Sequence, residues 1–200
     1  MQDAVPVGTG AMAAILGLDA LDVGRACTQA AEELPGQVVT PANLNAPGQV
    51  VIAGHTAAVA RAGECAKALG ARRAIGLAVS APFHCPLMKP AQERLAPELR
   101  ALAVGTPRIP VVANVDAEPK REAGAAIEAL IQQVSMPVRW EDVVRRLIAD
   151  GARMFAELGP GSVLAGLIKK IDRTVSVVSI DDPDSLATAL SAISALRAES

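Results

Sequence analysis

Apolar segments of strand length alternate with amphipathic helical stripes along this 200-residue chain, and no other feature limits its fold as strongly. Segment 174–180 is rich in β-branched residues, as a buried strand requires. Elsewhere apolar side chains recur at i, i+3, i+4 and i+7, as in Ile127, Leu130, Ile131 and Val134. Buried strands that alternate with helices are typical of α/β proteins with a parallel sheet. We therefore predict an α/β fold.

Residues 10–80 carry a different order of elements. The pattern predicts strands at 11–18, 38–40, 49–52 and 74–79, with helices at 21–34 and 57–69. We expect Thr56 to cap the second helix and residues 43–48 to form a turn between the two middle strands. The order β-α-β-β-α-β is that of the ferredoxin-like motif. Residues 10–80 are therefore predicted to form a ferredoxin-like small subdomain.

After residue 80 the strand and helix alternation resumes. The pattern predicts strands at 110–115, 153–158 and 174–180, and helices that end at Leu102 or cover 127–134, 140–148, 163–171 and 186–193. The strands of this part are the ones expected to form the parallel sheet.

Composition and charge exclude several classes of function. Aromatic residues make up 2% of the chain and Tyr is absent, so base-stacking platforms for single-stranded nucleic acid are not expected. A net charge of −2 does not suit a protein that binds phosphate backbones. No apolar run approaches the roughly 18–20 residues of a membrane helix, and the short run 10–18 is not preceded by the basic cluster of a signal peptide. We expect no nucleic-acid partner and no membrane segment.

The three cysteines, Cys27, Cys65 and Cys85, form no C-x-x-C pair. An odd number without paired spacing supports neither a disulfide framework nor a metal site. Reduced thiols fit a reducing compartment, so we predict a cytoplasmic protein without a bound metal.

Two histidines are the natural general bases of this chain near neutral pH. His84 follows a predicted strand, in a loop that Pro82 and Pro86 stiffen, and catalytic side chains are often presented on such loops. His55 lies at a strand-to-helix junction and is interpreted as a surface or capping residue. Cys85 beside His84 suggests a Cys–His pair. Adjacent side chains point in different directions, however, so a packed thiol is the simpler interpretation.

Other candidate motifs have structural alternatives. Gly159-Pro-Gly-Ser162 is either an anion-binding nest or a plain tight turn, and it lacks the glycine patterns of nucleotide-binding loops. Asn43 and Asn45 fit turn formation. The chain contains no G-x-S-x-G nucleophile elbow. The residues by themselves therefore offer a base without an activated nucleophile.

Six segments, in order along the chain, resemble the malonyl-CoA:acyl-carrier-protein transacylases. They are GTGAMAA (8–14), NLNAPGQVVI (43–52), FHCPLM (83–88), NVD (114–116), PVRW (137–140) and ELGPG (157–161). The family fold is a hydrolase-like α/β subdomain interrupted by a ferredoxin-like one. The resemblance implies that residues 10–80 form the inserted subdomain and that 1–9 and 81–200 belong to the hydrolase-like subdomain.

The resemblance also implies a reaction and roles for single residues. In the family, a serine takes the malonyl group from malonyl-CoA in a ping-pong reaction, and the phosphopantetheine thiol of acyl carrier protein then removes it. His84 matches the general base, and Gln133 matches the glutamine whose backbone carbonyl orients that base. Asn45 matches an active-site asparagine. Phe83 matches the malonyl-preferring branch, in which a bulky side chain leaves no room for a 2-methyl group. No cofactor is implied.

The sequence departs from the family pattern at its beginning. The family's serine elbow, its oxyanion-loop glutamine and the arginine that pairs with the malonyl carboxylate all precede the residue that matches Met1. The chain therefore resembles the C-terminal two-thirds of a transacylase, and we expect it to be inactive alone, with an unpaired sheet edge and an exposed apolar patch. The alternative is a non-catalytic binding or complementing fragment.

Two partners are implied by the resemblance, malonyl-CoA and acyl carrier protein. A basic rim for the acidic carrier is expected at Arg73, together with Arg72, Lys169 and Lys170. Fatty acid synthesis is the expected pathway, with polyketide synthesis as the alternative. The sequence does not indicate the oligomeric state.

Overall fold

The computed structural model describes residues 4–6 and 8–198. Its first six elements are β1 (Gly10–Leu16), α1 (Ala20–Glu33), β2 (Val39–Ala46), β3 (Gln49–His55), α2 (Thr56–Ala68) and β4 (Arg73–Gly76). The β-α-β-β-α-β order expected for this part of the chain is therefore observed. The four strands form one antiparallel sheet in the order β2-β3-β1-β4.

The two faces of this sheet bury different residues because side chains alternate along each strand. On β1, Ala13 and Ile15 pack with α1 and α2 in the main core, which also contains Val23 and Ala62. Met12 points to the opposite face. The helices thus cover one face of the small sheet and leave the other for a later segment of the chain.

Two local predictions for this region are wrong. Residues 43–48 do not form the turn, because β2 continues to Ala46 and only Pro47 and Gly48 connect it to β3. Gly48 has φ of 70°, which glycine adopts without strain. Thr56 is the first residue of α2 rather than its cap, and its hydroxyl donates to the Gly8 carbonyl at 2.8 Å.

After the small sheet, the chain forms a 3₁₀ helix (Pro86–Met88), α3 (Lys89–Arg100), β5 (Val111–Val112), β6 (Pro119–Lys120), α4 (Ala123–Gln132) and α5 (Trp140–Ala149). The strand predicted at 110–115 is limited to two residues, which pair antiparallel with β6. The chain reverses direction directly afterwards, since the Ala117 amide donates to the Ala113 carbonyl and Ala117 has φ of 59°. A tight reversal leaves no length for a long strand.

The chain divides into two compact units, Met1–Val143 and Val144–Ser200. The second unit contains β7 (Met154–Leu158), α6 (Val163–Ile171), β8 (Ser176–Ile180) and α7 (Pro183–Ala198). β7 and β8 pair in parallel, and among the described residues they form a sheet of their own. Each therefore has one edge without a strand partner in that part of the chain, as expected, while the size of the apolar patch stays a prediction.

None of the helices in the described part of the chain combines the length and the apolar character needed to cross a bilayer.

Candidate active site

His84 and Gln133 meet although 49 positions separate them in the sequence. The imidazole Nδ1 lies 2.8 Å from the backbone carbonyl oxygen of Gln133, which confirms the predicted contact. A carbonyl oxygen only accepts hydrogen bonds, so Nδ1 is the donor and carries the proton. The neutral ring then has its lone pair on Nε2. The contact therefore prepares Nε2 to accept a proton.

The Gln133 carbonyl is available because a proline follows it. Gln133 is the C-cap residue of α4, where carbonyls lack a partner within the helix. The residue four positions later, which would donate in a longer helix, is Pro137 and has no N–H. The Gln133 carbonyl is therefore free to accept the hydrogen bond from His84.

His84 has a strained backbone in a firmly packed loop. Its φ of 57° lies in the left-handed region, which few residues other than glycine adopt. The neighbouring side chains of Pro82, Cys85 and Met88 are fully buried. Strain of this kind persists only where the surroundings hold it, and it is concentrated at functional sites.

The His84 loop covers the face of the small sheet that the helices leave free. Cys85 packs there against Met12 and Val51. Pro82 lies directly on β1, since a Cβ at Gly10 would be 2.3 Å from the Pro82 Cγ. Only glycine at position 10 allows this approach, so the sheet fixes the position of the loop.

Cys85 is a packed thiol, as the simpler interpretation held. Its Sγ lies 3.1 Å from the Pro82 carbonyl oxygen, and the residue is fully buried. Burial raises the pKa of the Cys85 thiol, which opposes formation of the thiolate. A nucleophilic role is therefore disfavoured.

His55 has a structural role at the end of β3. Its Nδ1 accepts a hydrogen bond of 2.9 Å from the Val38 amide, and its own amide donates to the Val38 carbonyl at 2.8 Å. It is the N-cap residue of α2 but makes no side-chain capping bond. His55 therefore lies at the predicted capping position, but its side chain bonds the residue before β2 instead of capping the helix.

Asn45 lies in a β-bulge rather than in the turn. The register of β2 against β3 shifts between Leu44 and Ala46, so Asn45 has no partner on β3. Its side chain is half-buried and makes no hydrogen bond within the described part of the chain. Bulges turn a side chain away from the regular pleat and are frequent near active sites.

Three of the sequence motifs come together beside this bulge. The Leu44 amide donates to the Val138 carbonyl at 2.8 Å, and the Val138 amide donates to the Ala42 carbonyl at 2.8 Å. The next residue, Arg139, donates its amide to the Asn114 carbonyl, also at 2.8 Å. Segment 137–140 therefore links the bulged strand to the hairpin of β5 and β6, only a few residues after Gln133.

Phe83 and Arg73 occupy contrasting surroundings. Phe83 is half-buried and packs in two apolar clusters, one with Met12 and one with Met88. Arg73 is exposed at the start of β4, opposite Leu16.

The comparisons with known proteins give the family. Residues 3–184 match the acyl transferase domain family. The chain belongs to the acyl transferase domain family. It is 50% identical to the malonyl CoA-acyl carrier protein transacylase of Escherichia coli K12 over 95% of this chain and 60% of that protein. It is 46% identical to the Bacillus subtilis transacylase of the same name, with 95% of this chain and 59% of the relative covered.

Solved structures support the assignment of this chain to the acyl transferase family. An acyl carrier protein S-malonyltransferase from Vibrio cholerae superimposes with a TM-score of 0.91 at 48% identity, over 94% of this chain and 61% of that one. A malonyl-transacylase in complex with its type II PKS acyl-carrier protein gives a TM-score of 0.91 at 49% identity, over 95% of this chain and 60% of that one. The acyl transferase chain thus spans about 60% of the length of these relatives.

Directly after the Gly159–Ser162 motif of this acyl transferase chain, a carboxylate of the chain itself binds the start of α6. Glu157 accepts hydrogen bonds from the Leu164 and Ala165 amides at 3.1 and 2.8 Å, in the first turn of α6. These are the amides that an external anion would use. The tight-turn interpretation therefore fits better than the anion-binding nest.

No group of three or more His, Cys, Asp or Glu side chains that suits a metal ion occurs among the described residues of this family member.

One polar pair near the site was not predicted from the sequence. Ser135, two residues after Gln133, is buried and donates its hydroxyl to the Gln92 side chain. A serine in a run that is otherwise apolar, Val134 to Met136, was the available signal.

Proposed function

We propose that this chain supplies the general base of a malonyl-CoA:acyl-carrier-protein transacylase. The observation that carries the proposal is the His84 Nδ1 bond to the Gln133 carbonyl at 2.8 Å, which leaves Nε2 to accept a proton. The names of the similar proteins, malonyl CoA-acyl carrier protein transacylases, support the choice of substrates. We further propose cytoplasmic fatty acid synthesis as the setting.

In the proposed first half-reaction, His84 Nε2 takes the proton of a serine hydroxyl as its oxygen attacks the malonyl thioester carbonyl. The imidazolium then gives that proton to the departing coenzyme A sulfur, which leaves an acyl-serine ester. In the second half-reaction, Nε2 takes the proton of the carrier's phosphopantetheine thiol as the sulfur attacks the ester. The serine oxygen recovers the proton when it leaves. Atoms and charges balance, and the base ends each cycle neutral.

Gln133 holds the base throughout this cycle. Its carbonyl keeps the proton on Nδ1 while the ring is neutral and faces the extra positive charge when the ring is protonated. We also propose that Asn45 contacts the acyl group and that the bulky Phe83 excludes 2-methylmalonyl groups. The subdomain division is part of the proposal, with residues 10–80 as the ferredoxin-like insertion and 1–9 with 81–200 in the hydrolase-like part.

The experiment compares this chain alone with a complemented enzyme. In the complemented enzyme, the chain is fused to the part of the Escherichia coli transacylase that it does not cover, which we expect to carry the serine. Malonyl transfer from radiolabelled malonyl-CoA to acyl carrier protein is measured for both. We expect transfer by the fusion and no acyl-enzyme on the 200-residue chain alone, because the chain has no serine elbow.

Other outcomes contradict parts of the proposal. An acyl-enzyme on the chain alone would require a nucleophile within these residues. A folded fusion that binds carrier protein but transfers nothing would instead favour a non-catalytic binding fragment.

Arg73 gives a further prediction, on the carrier surface. We propose that its exposed guanidinium meets acidic side chains of acyl carrier protein. In the complemented enzyme, Arg73→Glu should raise the KM for carrier protein severalfold and leave the KM for malonyl-CoA unchanged. Because such contacts are between exposed charges, added salt should reduce the difference between the two enzymes.

Arg25→Glu is the matched control for this surface. Arg25 is also exposed, but it lies on α1 and pairs with Asp22 at 2.8 Å. Reversing the charge at Arg25 should not affect the KM for carrier protein. Equal changes for Arg25 and Arg73, or equal effects of Arg73→Glu on both substrates, would reject a specific carrier contact.

A further inference from the structure

Two chain segments pack together at the candidate site, and two side-chain hydrogen bonds join them there. The first segment contains His84 and continues through the 3₁₀ helix into α3, and the second contains the end of α4 and the turn after it. The first joint is the His84–Gln133 bond. The second is a hydrogen bond from the Ser135 hydroxyl to Oε1 of Gln92, in the first turns of α3. The two joints lie close to one another along both segments.

Ser135 is the one polar residue in the buried core of the described chain, with 7% of its surface exposed. A buried hydroxyl without a partner is costly, so the bond to Gln92 strongly restricts where this turn can lie. Between the joints, Val134 is buried in the cluster that contains Met88. Gln133 is therefore followed directly by one packed and one hydrogen-bonded residue.

The backbone hydrogen bonds within this turn are long or at the upper limit of the usual range. The Val134 amide lies 3.4 Å from the Ile131 carbonyl, and the Ser135 and Met136 amides lie 3.3 and 3.2 Å from that of Gln132. Beyond Pro137, the Val138 amide and carbonyl each form a bond of 2.8 Å. The Gln133 carbonyl itself has no helical partner, because Pro137 lacks the N–H. The side-chain contacts of Val134 and Ser135 therefore add to the backbone bonds of Gln133 and Val138 in restraining its direction.

We propose that Gln92 and Ser135 are positioning residues that aim the Gln133 carbonyl at His84 Nδ1. A single contact fixes a distance, whereas two contacts between the same segments also fix the angle between them. Without the second joint, the turn rotates, the Gln133 carbonyl leaves the line of the Nδ1–H bond, and the imidazole exchanges between its two tautomers. This inference rests on the proposed general-base role of His84 for its effect on catalysis, but not for its effect on the tautomer.

The test reads the tautomer of His84 directly, by long-range ¹⁵N–¹H correlation NMR of the 200-residue chain at a pH where the ring is neutral. Unsubstituted chain should show a protonated Nδ1 and an unprotonated Nε2. Gln92→Ala and Ser135→Ala should each bring the two nitrogen shifts toward one another. The double variant should match the single ones, because both substitutions remove the same bond.

Matched variants separate positioning from a general loss of structure. Gln92→Glu keeps an oxygen that accepts from Ser135 and should retain the Nδ1–H tautomer. Gln29→Ala makes the same substitution on α1, where Gln29 donates to Glu33 at 3.0 Å, and should leave the His84 shifts unchanged. Unchanged His84 shifts in folded Gln92→Ala and Ser135→Ala would overturn the inference.

Kinetics of the complemented enzyme provide the second readout. Loss of the joint should lower kcat roughly 10- to 100-fold with little change in the KM for malonyl-CoA, since a small misplacement of a catalytic group has effects of this size. A tautomer change without a loss of kcat would keep the positioning role and refute the general-base role. A loss of kcat with an unchanged tautomer would refute positioning.

Discussion

His84→Ala in the complemented enzyme should lower the rate of malonyl transfer roughly 10²–10⁴-fold, the usual contribution of a general base. Both half-reactions need a proton acceptor, and Nε2 of His84 is prepared for this by the Gln133 carbonyl at 2.8 Å from Nδ1. Acyl-enzyme formation and transfer to the carrier should therefore both become slow. Rapid-quench measurement of each half-reaction checks the two steps separately.

The other histidine is the control for this prediction. His55→Ala removes the acceptor of the half-buried Val38 amide, and the loss of such a hydrogen bond costs about 0.5–1.5 kcal/mol of folding free energy. We expect His55→Ala to lower the urea midpoint and leave the transfer rate of the folded enzyme intact. If the two alanine variants lose activity alike, His84 is not the base.

Gly54→Ala should destabilise the small sheet by roughly 3 kcal/mol, the upper part of the range for overpacking. A Cβ at Gly54 would lie 2.0 Å from the Val38 carbonyl oxygen and 2.7 Å from the Val39 Cα. These are backbone atoms, and the Val38 carbonyl also accepts from the His55 amide, so β2 cannot move away without breaking pairing. Urea unfolding of the 200-residue chain measures the change.

Gly24→Ala is the matched substitution with the opposite expected sign. Gly24 lies inside α1, where a Cβ would meet nothing within 4 Å. Alanine in a helix interior is favoured over glycine by about 0.5–1 kcal/mol, so this variant should be more stable. A Gly54→Ala chain as stable as the unsubstituted one would mean that β2 and β3 do not pack in this register.

The elements that could be predicted well were those with local signals. The helix predicted at 163–171 is α6 (Val163–Ile171) to the residue, since a proline–glycine turn precedes it and its apolar stripe is regular. The strand at 110–115 was overpredicted because a β-branched run indicates strand propensity but not a partner. The extension of β2 to Ala46 was missed because it depends on pairing with β3 and with Val138.

The candidate site divides in the same way. The sequence by itself determined the order of the elements in residues 10–80 and the two possible bases. The family resemblance predicted that the Gln133 carbonyl meets His84, and the structure confirmed this contact. Only the tertiary structure decided that Asn45 lies in a bulge and that Gln92 bonds Ser135. The physical reason is distance along the chain. Helix propensity, caps and prolines act within a few residues, whereas contacts over 49 positions depend on how buried surfaces pack together.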